Sequence, residues 1–321
     1  MSSVLQNPDV SFVIAAYNAE ETLARAIDSA LAQTGVTVEV VVVDDCSTDE
    51  TANIAAAYDD PRVRLIKQLS NGGPGRTRNA GILAATGRWI AVLDSDDAVL
   101  PERSRRMIAR AEMANAQVVV DNLDVVPMDG GAPETMFVER ELADRPEITL
   151  ADYIDSNIIF RSTFNFGYMK PIFERAFLLT HDLWFDEVLR IGEDYILLAS
   201  ALASGAKCAI EPTVGYIYHI REGSISRVLE RHHLDSMLAA DEVFLARFPL
   251  QADAMTAQNR RTRSLKEARS FITLIEELKR KALGRVLLTA IRNPRAVRHL
   301  RMPLAVRMRR LARAVGVNPI G

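Results

Sequence analysis

Three carboxylates fall within four residues at Asp94-Ser95-Asp96-Asp97, directly after the apolar run Trp89-Ile90-Ala91-Val92-Leu93. Such a cluster repels itself unless protons or a cation intervene. A hard divalent ion such as Mg²⁺ or Mn²⁺ takes oxygen ligands and often binds through one or two carboxylates plus substrate phosphates. A solvated acidic loop accounts for the same residues, so the cluster alone leaves both readings open. Two more acid pairs share its setting. Asp44-Asp45 closes the apolar run 38–43, and Glu193-Asp194 stands before an apolar helical stretch. A positioned carboxylate there is able to take a proton from a hydroxyl as general base, or simply to cap the helix.

The elements that must hold these acids read as α/β. Fully apolar runs are buried strands of a parallel sheet, and open α/β sheets place ligands at the carboxyl ends of such strands. Residues 10–16, 38–43 and 89–93 fit that description, and 63–69 is a more polar strand nearer an edge. Asn18 with Glu21, and Ser47 with Glu50, form capping boxes opening helices through Gln33 and to about Tyr58. The βαβαβ order predicts a parallel sheet with right-handed crossovers.

Residues 70–75 are rich in glycine and precede a helix over 76–85 that Gly87 stops. A phosphate cradle has that arrangement, but the Gly-Lys-Ser/Thr ending and the dinucleotide spacing are missing, and loop flexibility explains the glycines as well. Pro101 opens a helix to about Asn115, residues 118–121 form a strand, and Asp129-Gly130 marks a turn. A short helix spans 152–157. Phe160, Phe164, Phe166 and Tyr168 either line an acceptor groove or pack in the core. Residues 195–203 form a helix closed by Gly205, and the strand 214–218 leads to His219 and the small polar run 222–227.

From Leu229 onward the pattern is helical, with a charged amphipathic helix over 265–283. Residues 297–315 carry Arg298, Arg301, Arg307, Arg309, Arg310 and Arg313 among Leu, Val and Met. That composition suits an interfacial helix or a solvated helix face.

The chain has 321 residues and a net charge of −3, distributed unevenly. From Arg260 to the end there are 17 Lys+Arg against 3 Asp+Glu, leaving the rest of the chain at −17. An acidic body with a basic tail predicts an anionic partner for the tail. Two cysteines, Cys46 and Cys208, imply no disulfide framework and fit a reduced, cytoplasmic setting. The first nine residues lack an apolar signal core. No apolar run approaches the ~20 residues a bilayer span requires, so the expectation is a soluble or peripheral protein.

Five segments in order resemble the inverting nucleotide-sugar glycosyltransferases of family 2. They are Val10-Ser11-Phe12-Val13-Ile14-Ala15-Ala16-Tyr17-Asn18, Val43-Asp44-Asp45-Cys46-Ser47-Thr48-Asp49, residues 75–87 with Arg78-Asn79, Asp94-Ser95-Asp96-Asp97, and Gly192-Glu193-Asp194. The resemblance covers roughly residues 8–230 and is nearest to bacterial enzymes that assemble exopolysaccharide repeat units such as succinoglycan. It implies the GT-A fold: a Rossmann-like, mostly parallel sheet flanked by helices. Residues 1–228 would form that domain, with a nucleotide-binding part over about 8–122 and an acceptor-binding part over about 123–228. Residues 229–321 would be a basic helical extension.

By the same resemblance, Asp94 and Asp96 hold a divalent cation, Mn²⁺ or Mg²⁺, with Asp96 the direct ligand and Asp94 also among the nucleotide-sugar-binding residues; His219 either approaches the metal or diphosphate or is a structural histidine. Asp97 either assists or caps the following turn. Asp45 accepts a hydrogen bond from the base, usually uracil, and Ala15 and Tyr17 flank the nucleotide. Arg78 either reaches the diphosphate or donor sugar or is a solvated helix arginine. Asp194 is the general base, with Glu193 supporting it. Ser224, Ser226 and Arg227 belong to a loop over the donor. The Gln-x-x-Arg-Trp motif of processive members is missing, which implies one sugar per encounter.

The expected reaction moves a sugar, glucose from UDP-glucose first, onto a lipid-diphosphate-linked oligosaccharide at the cytoplasmic membrane face. The basic tail would meet anionic lipid there, and no nucleic acid is implicated. A sugar-phosphate nucleotidyltransferase would need a glycine-rich triphosphate loop near the first strand, where Tyr17-Asn18-Ala19-Glu20 stands instead. A non-catalytic nucleotide-sugar binding protein would have no use for an intact Glu193-Asp194 pair.

Overall fold

The computed structural model describes residues 7–128, 131–161, 165–220 and 229–300. The expected turn at Asp129-Gly130, Phe164, the segment with Ser224, Ser226 and Arg227, and the basic stretch beyond Leu300 lie outside the described residues.

The first half alternates strand and helix, apart from the consecutive strands Trp89–Val92 and Ala98–Val99. It runs β1 (Val10–Ala16), α1 (Leu23–Leu31), β2 (Val38–Asp44), α2 (Thr51–Ala56), β3 (Val63–Lys67), α3 (Pro74–Ala84), β4 (Trp89–Val92), β5 (Ala98–Val99), α4 (Arg103–Ala114) and β6 (Val118–Val126). The second half is less regular: β7 (Glu134–Thr135), α5 (Glu139–Ala143), β8 (Glu147–Ile148), α6 (Leu150–Ser156), β9 (Ile172–Glu174), α7 (Arg175–Thr180), α8 (Glu193–Ala203) and β10 (Cys208–His219). Helices α9 (Arg231–Arg247), α10 (Ala252–Lys279), α11 (Leu283–Arg292) and α12 (Pro294–Val297) close the described chain.

A single sheet runs β3-β2-β1-β4-β9-β6-β10-β5, with β7 added to β6 and β8 to β10. β1 pairs in parallel with β2 and β4, and β2 with β3. β9 lies antiparallel between β4 and β6, and β10 is parallel to β6. The carboxyl ends of β1, β2, β4 and β10 therefore share one edge. The chain winds outward from β1 to β3 and then returns to place β4 on the other side of β1. That reversal opens a crevice between strand ends, the usual ligand position in such sheets. Apart from Ser11, Glu39 and the terminal Asp44, β1, β2 and β4 are apolar without alternation because parallel strands of this kind are covered on both faces; Phe12, Ile14, Val40, Val42, Ile90 and Ala91 are fully buried.

The local expectations fail mainly at the caps. Asn18 does not cap α1, which begins after Thr22 without a side-chain cap. Ser47 does not open α2, which starts after Glu50. Both polar side chains bind across the sheet edge instead. Capping boxes form elsewhere, by Thr149 with Asp152 at the start of α6 and by Glu230 with His233 at the start of α9. The short strands β5, β7, β8 and β9 carry too few residues to show a period in sequence.

The C-terminal helices are fastened to the sheet domain. α10 packs on α6 and α9. Phe244 and Ala257 join the main core, while Leu234, Met237, Leu265 and Ala268 form a second cluster against Ile159, Ile191 and Leu229.

Candidate active site

The crevice begins at the ends of β1 and β2. Ala15 is half-buried in β1 and Tyr17, just beyond it, is exposed. Asn18 and Cys46 adopt left-handed backbone, with φ of 47° and 62°, so each strand end bends sharply. Asn18 Oδ1 accepts from the Thr48 N–H at 2.9 Å, and the Asn18 N–H donates to Ser47 Oγ at 3.0 Å. These two bonds lock the loops after β1 and β2 together and explain why neither residue caps a helix.

Asp45 is buried and holds the glycine loop. Its Oδ1 accepts from the Gly72 N–H at 2.7 Å and its Oδ2 from the Gly73 N–H at 2.8 Å. Gly73 sits at φ 84°, a left-handed conformation that favours glycine. Each Asp45 oxygen has one further lone pair. Asp44 Oδ2 accepts from the Ser47 N–H at 3.3 Å, whereas its Oδ1 is buried without a hydrogen-bond partner among the described residues.

The centre of the crevice is an ionic cluster around Arg78. Its guanidinium contacts Glu193 Oε1 at 2.6 Å, Asp94 Oδ1 at 2.8 Å and Asp194 Oδ1 at 3.4 Å, and lies 5.3 Å from the Phe185 ring centroid. Arg78 is buried, so the solvated-arginine alternative does not hold. Lys170 closes the cluster, with Nζ 2.7 Å from Asp94 Oδ2 and 3.3 Å from Asp194 Oδ2. Nothing in the sequence marked Lys170. The β4–β9 register pairs Ala91 with Ile172; two residues further on, the same register sets Lys170 beside Leu93, next to Asp94.

Two cations thus face three acids, and the acids differ. Burial alone would raise the Asp94 carboxyl, but Lys170 and Arg78 outweigh it and hold the group well below the usual carboxylate range. Burial and the Asp194 charge push Glu193 up, although Arg78 opposes them. Asp194 makes the two longest contacts, and its side chain is 32% exposed against 9% for Glu193. It is the acid of the cluster most accessible to the cleft. Both acids stand in the first turn of α8, where the helix N-terminus favours negative charge. Gly192, at φ 95°, turns the chain into that helix.

Asp97 is neither an open ligand nor a cap. It accepts from the Tyr216 hydroxyl at 2.7 Å and from the His219 N–H at 2.8 Å, tying the β4 loop to β10. Burial, followed by the charges of Asp94 and Asp96, pushes its carboxyl well up. Tyr216 also accepts from the Asp94 N–H at 3.3 Å. His219 Nδ1 is buried without a hydrogen-bond partner among the described residues, and burial lowers the ring's pKa, with Arg25 adding to the effect.

For a divalent ion, the donor set divides. Asp94 Oδ1 and Oδ2 already face Arg78 and Lys170, so an ion bound there would share those oxygens with two cationic side chains. Among the described residues no group of three or more His, Cys, Asp or Glu side chains is placed to hold a metal. Asp96, on the same loop, and the ring nitrogen of His219 suit an ion whose remaining oxygens come from a diphosphate.

Two buried ion pairs back the cluster. Arg103 binds Asp121 at 2.8 and 2.9 Å, donates to the Lys170 carbonyl at 2.5 Å and lies 5.4 Å from the Tyr216 ring centroid. Arg261 of α10 binds Asp241 of α9 at 3.1 Å and stacks 3.5 Å from the centroid of Tyr195, the residue after Asp194. The C-terminal helices therefore support the start of α8.

Residues 11–177, more than half of the chain, match the model of glycosyl transferase family 2, and the chain belongs to that family. Over 305 residues it is 64% identical to the succinoglycan biosynthesis protein ExoO of Rhizobium meliloti (strain 1021), covering 95% of this chain and 87% of that protein. A second relative, the succinoglycan biosynthesis protein ExoU of the same organism, is 33% identical over 90% of this chain and 84% of its own length. The structure of S. aureus TarS 1–349 in complex with UDP-GlcNAc matches with a TM-score of 0.60 and 22% identity, over 84% of this chain and 72% of that one. The fold is GT-A, with C-terminal helices added.

Proposed function

We propose that this protein transfers a sugar from a UDP-sugar, UDP-glucose being the first candidate, onto a lipid-diphosphate-linked oligosaccharide in succinoglycan-type exopolysaccharide assembly, with inversion and one sugar per encounter. The observation that carries the reading is Asp194, held by Arg78 and Lys170 at the crevice yet a third exposed. Its carboxylate takes the proton of the acceptor hydroxyl as that oxygen attacks the anomeric carbon from the face opposite UDP. An α-linked donor then yields a β-linked product. Glu193 fixes Arg78, and Arg78 with Lys170 keeps Asp194 in place, so the base does not swing away between encounters. Tyr17 and Ala15 flank the nucleotide, and Asp45 shapes the glycine loop beside it while offering its remaining lone pairs to the base.

Asp96, with His219 a further candidate, would hold the Mg²⁺ or Mn²⁺ that the family resemblance implies, which when bound supplies Lewis-acid stabilisation of the departing diphosphate. The succinoglycan assignment is supported by the 64% identity over 95% of the chain, and the UDP donor by the fold neighbour's bound UDP-GlcNAc. No helix among the described residues is long and apolar enough to cross a membrane, and a lipid-linked acceptor requires the protein to work at the cytoplasmic membrane surface.

The test is a UDP-release screen across UDP-sugars with lipid-linked acceptor extracts, with and without divalent metal. Acceptor-dependent UDP release with one donor is the expected result. Pyrophosphate in place of UDP would assign a nucleotidyltransferase, and binding without turnover of any donor would assign a scaffold.

A further inference from the structure

α11 turns an apolar face to solvent. Leu283, Leu287 and Ile291 recur every fourth residue and Leu288 widens the stripe; they are 72%, 63%, 69% and 47% exposed. The other edge holds the helix down. Val286, Thr289 and Ala290 are half-buried, and Thr289 donates to Glu277 Oε2 of α10 at 3.0 Å. The helix is thus fastened along one side and unpartnered along the other among the described residues.

The charge on α11 itself, and in the sequence that follows it, is of one sign, and Glu277 of α10 lies against the fastened edge of the helix. Exposed Arg285 and Arg292 border it on the wheel. From residue 278 to 321 the sequence holds 12 Lys+Arg and no Asp or Glu. An apolar stripe bordered by Arg285 and Arg292 complements an anionic bilayer surface on both counts: the leucines enter the acyl boundary and the arginines meet phosphate headgroups. With ten residues, α11 is about 15 Å long and lies along a surface rather than across it.

We infer that α11 is a membrane-docking helix that lays Leu283, Leu287, Leu288 and Ile291 into an anionic phospholipid surface. The inference rests on the reading of the acceptor as lipid-linked and names the element that brings the crevice to it.

Flotation of the full-length protein with vesicles of equimolar phosphatidylglycerol and phosphatidylcholine, against phosphatidylcholine alone, tests it. The wild type is expected to float with the anionic vesicles only. The double variant Leu287→Asp/Ile291→Asp, and separately Arg285→Glu/Arg292→Glu, should each cut the floated fraction about tenfold. Both changes lie on exposed positions, and UDP release with detergent-solubilised acceptor should stay at the wild-type rate. Failure of the wild type to float, or wild-type flotation of both double variants, overturns the inference. A wild-type dimer that Leu287→Asp/Ile291→Asp splits, without vesicle binding, assigns the face to a second copy and also overturns it. Lost UDP release with intact flotation counts against the transfer reading alone.

Discussion

Arg78 and Arg261 are built from the same parts. Each is a buried guanidinium against a carboxylate and an aromatic ring. The Arg261 site is balanced: Asp241 Oδ2 accepts from Arg261 at 3.1 Å and from Gln258 at 2.9 Å, and both charged side chains are almost wholly buried. The Arg78 site is over-supplied with acid, and its third carboxylate, Asp194, is left with long contacts and an open side. A balanced buried pair specifies packing. An unbalanced one at a cleft leaves a group able to exchange a proton with a substrate. The difference lies in stoichiometry and access, not in residue type.

The largest expected effect tests that division directly. Asp194→Asn should reduce turnover about a thousandfold, ~4 kcal/mol in barrier, while UDP affinity by calorimetry stays unchanged. Turnover within a few-fold of wild type would move the base elsewhere. At the balanced site the loss should appear in stability. Asp241→Ala leaves Arg261 buried without its carboxylate and should cost ~3–5 kcal/mol in urea unfolding. Pairing it with Arg261→Met should recover much of that loss, because no charge is then stranded.

Lys170→Met sharpens the comparison from the other side. It loosens Asp94 and Asp194 at the crevice, so kcat should fall on the order of 10² through misplacement of the base. The urea midpoint should move less than for Asp241→Ala, since Asp94 keeps Arg78. A stability loss as large as that of Asp241→Ala, with kcat intact, would make the Arg78 cluster a packing device too. The smallest effect concerns the two thiols. Exposed Cys46 should alkylate readily in the native state. Cys208 should not, because burial, with Glu147 adding to it, pushes its thiol up to about 12. Mass spectrometry before and after unfolding reads both.

The acids at strand ends were legible because periodicity and position suffice to find them. Five apolar residues before Asp94, and four valines before Asp44, announce buried strands whose carboxyl ends share an edge. The cap assignments failed at Asn18 and Ser47 for a single reason. A polar residue after a strand reads as a helix cap, but here the nearest donors and acceptors lie across the sheet edge, on a loop some thirty residues away. Lys170 was invisible because the three-residue strand that positions it has no period.

Residue pattern alone determined an α/β chain with acids at the carboxyl ends of its strands, since burial on both faces of a strand is written into composition. The cation balance around those acids was decided only by tertiary structure. Arg78, Lys170 and Asp194 come from α3, the segment before β9 and α8, and only antiparallel insertion of β9 beside β4 brings Lys170 to Asp94. Charge pairing acts over a few ångströms, and sequence distance carries no record of which side chains will come that close.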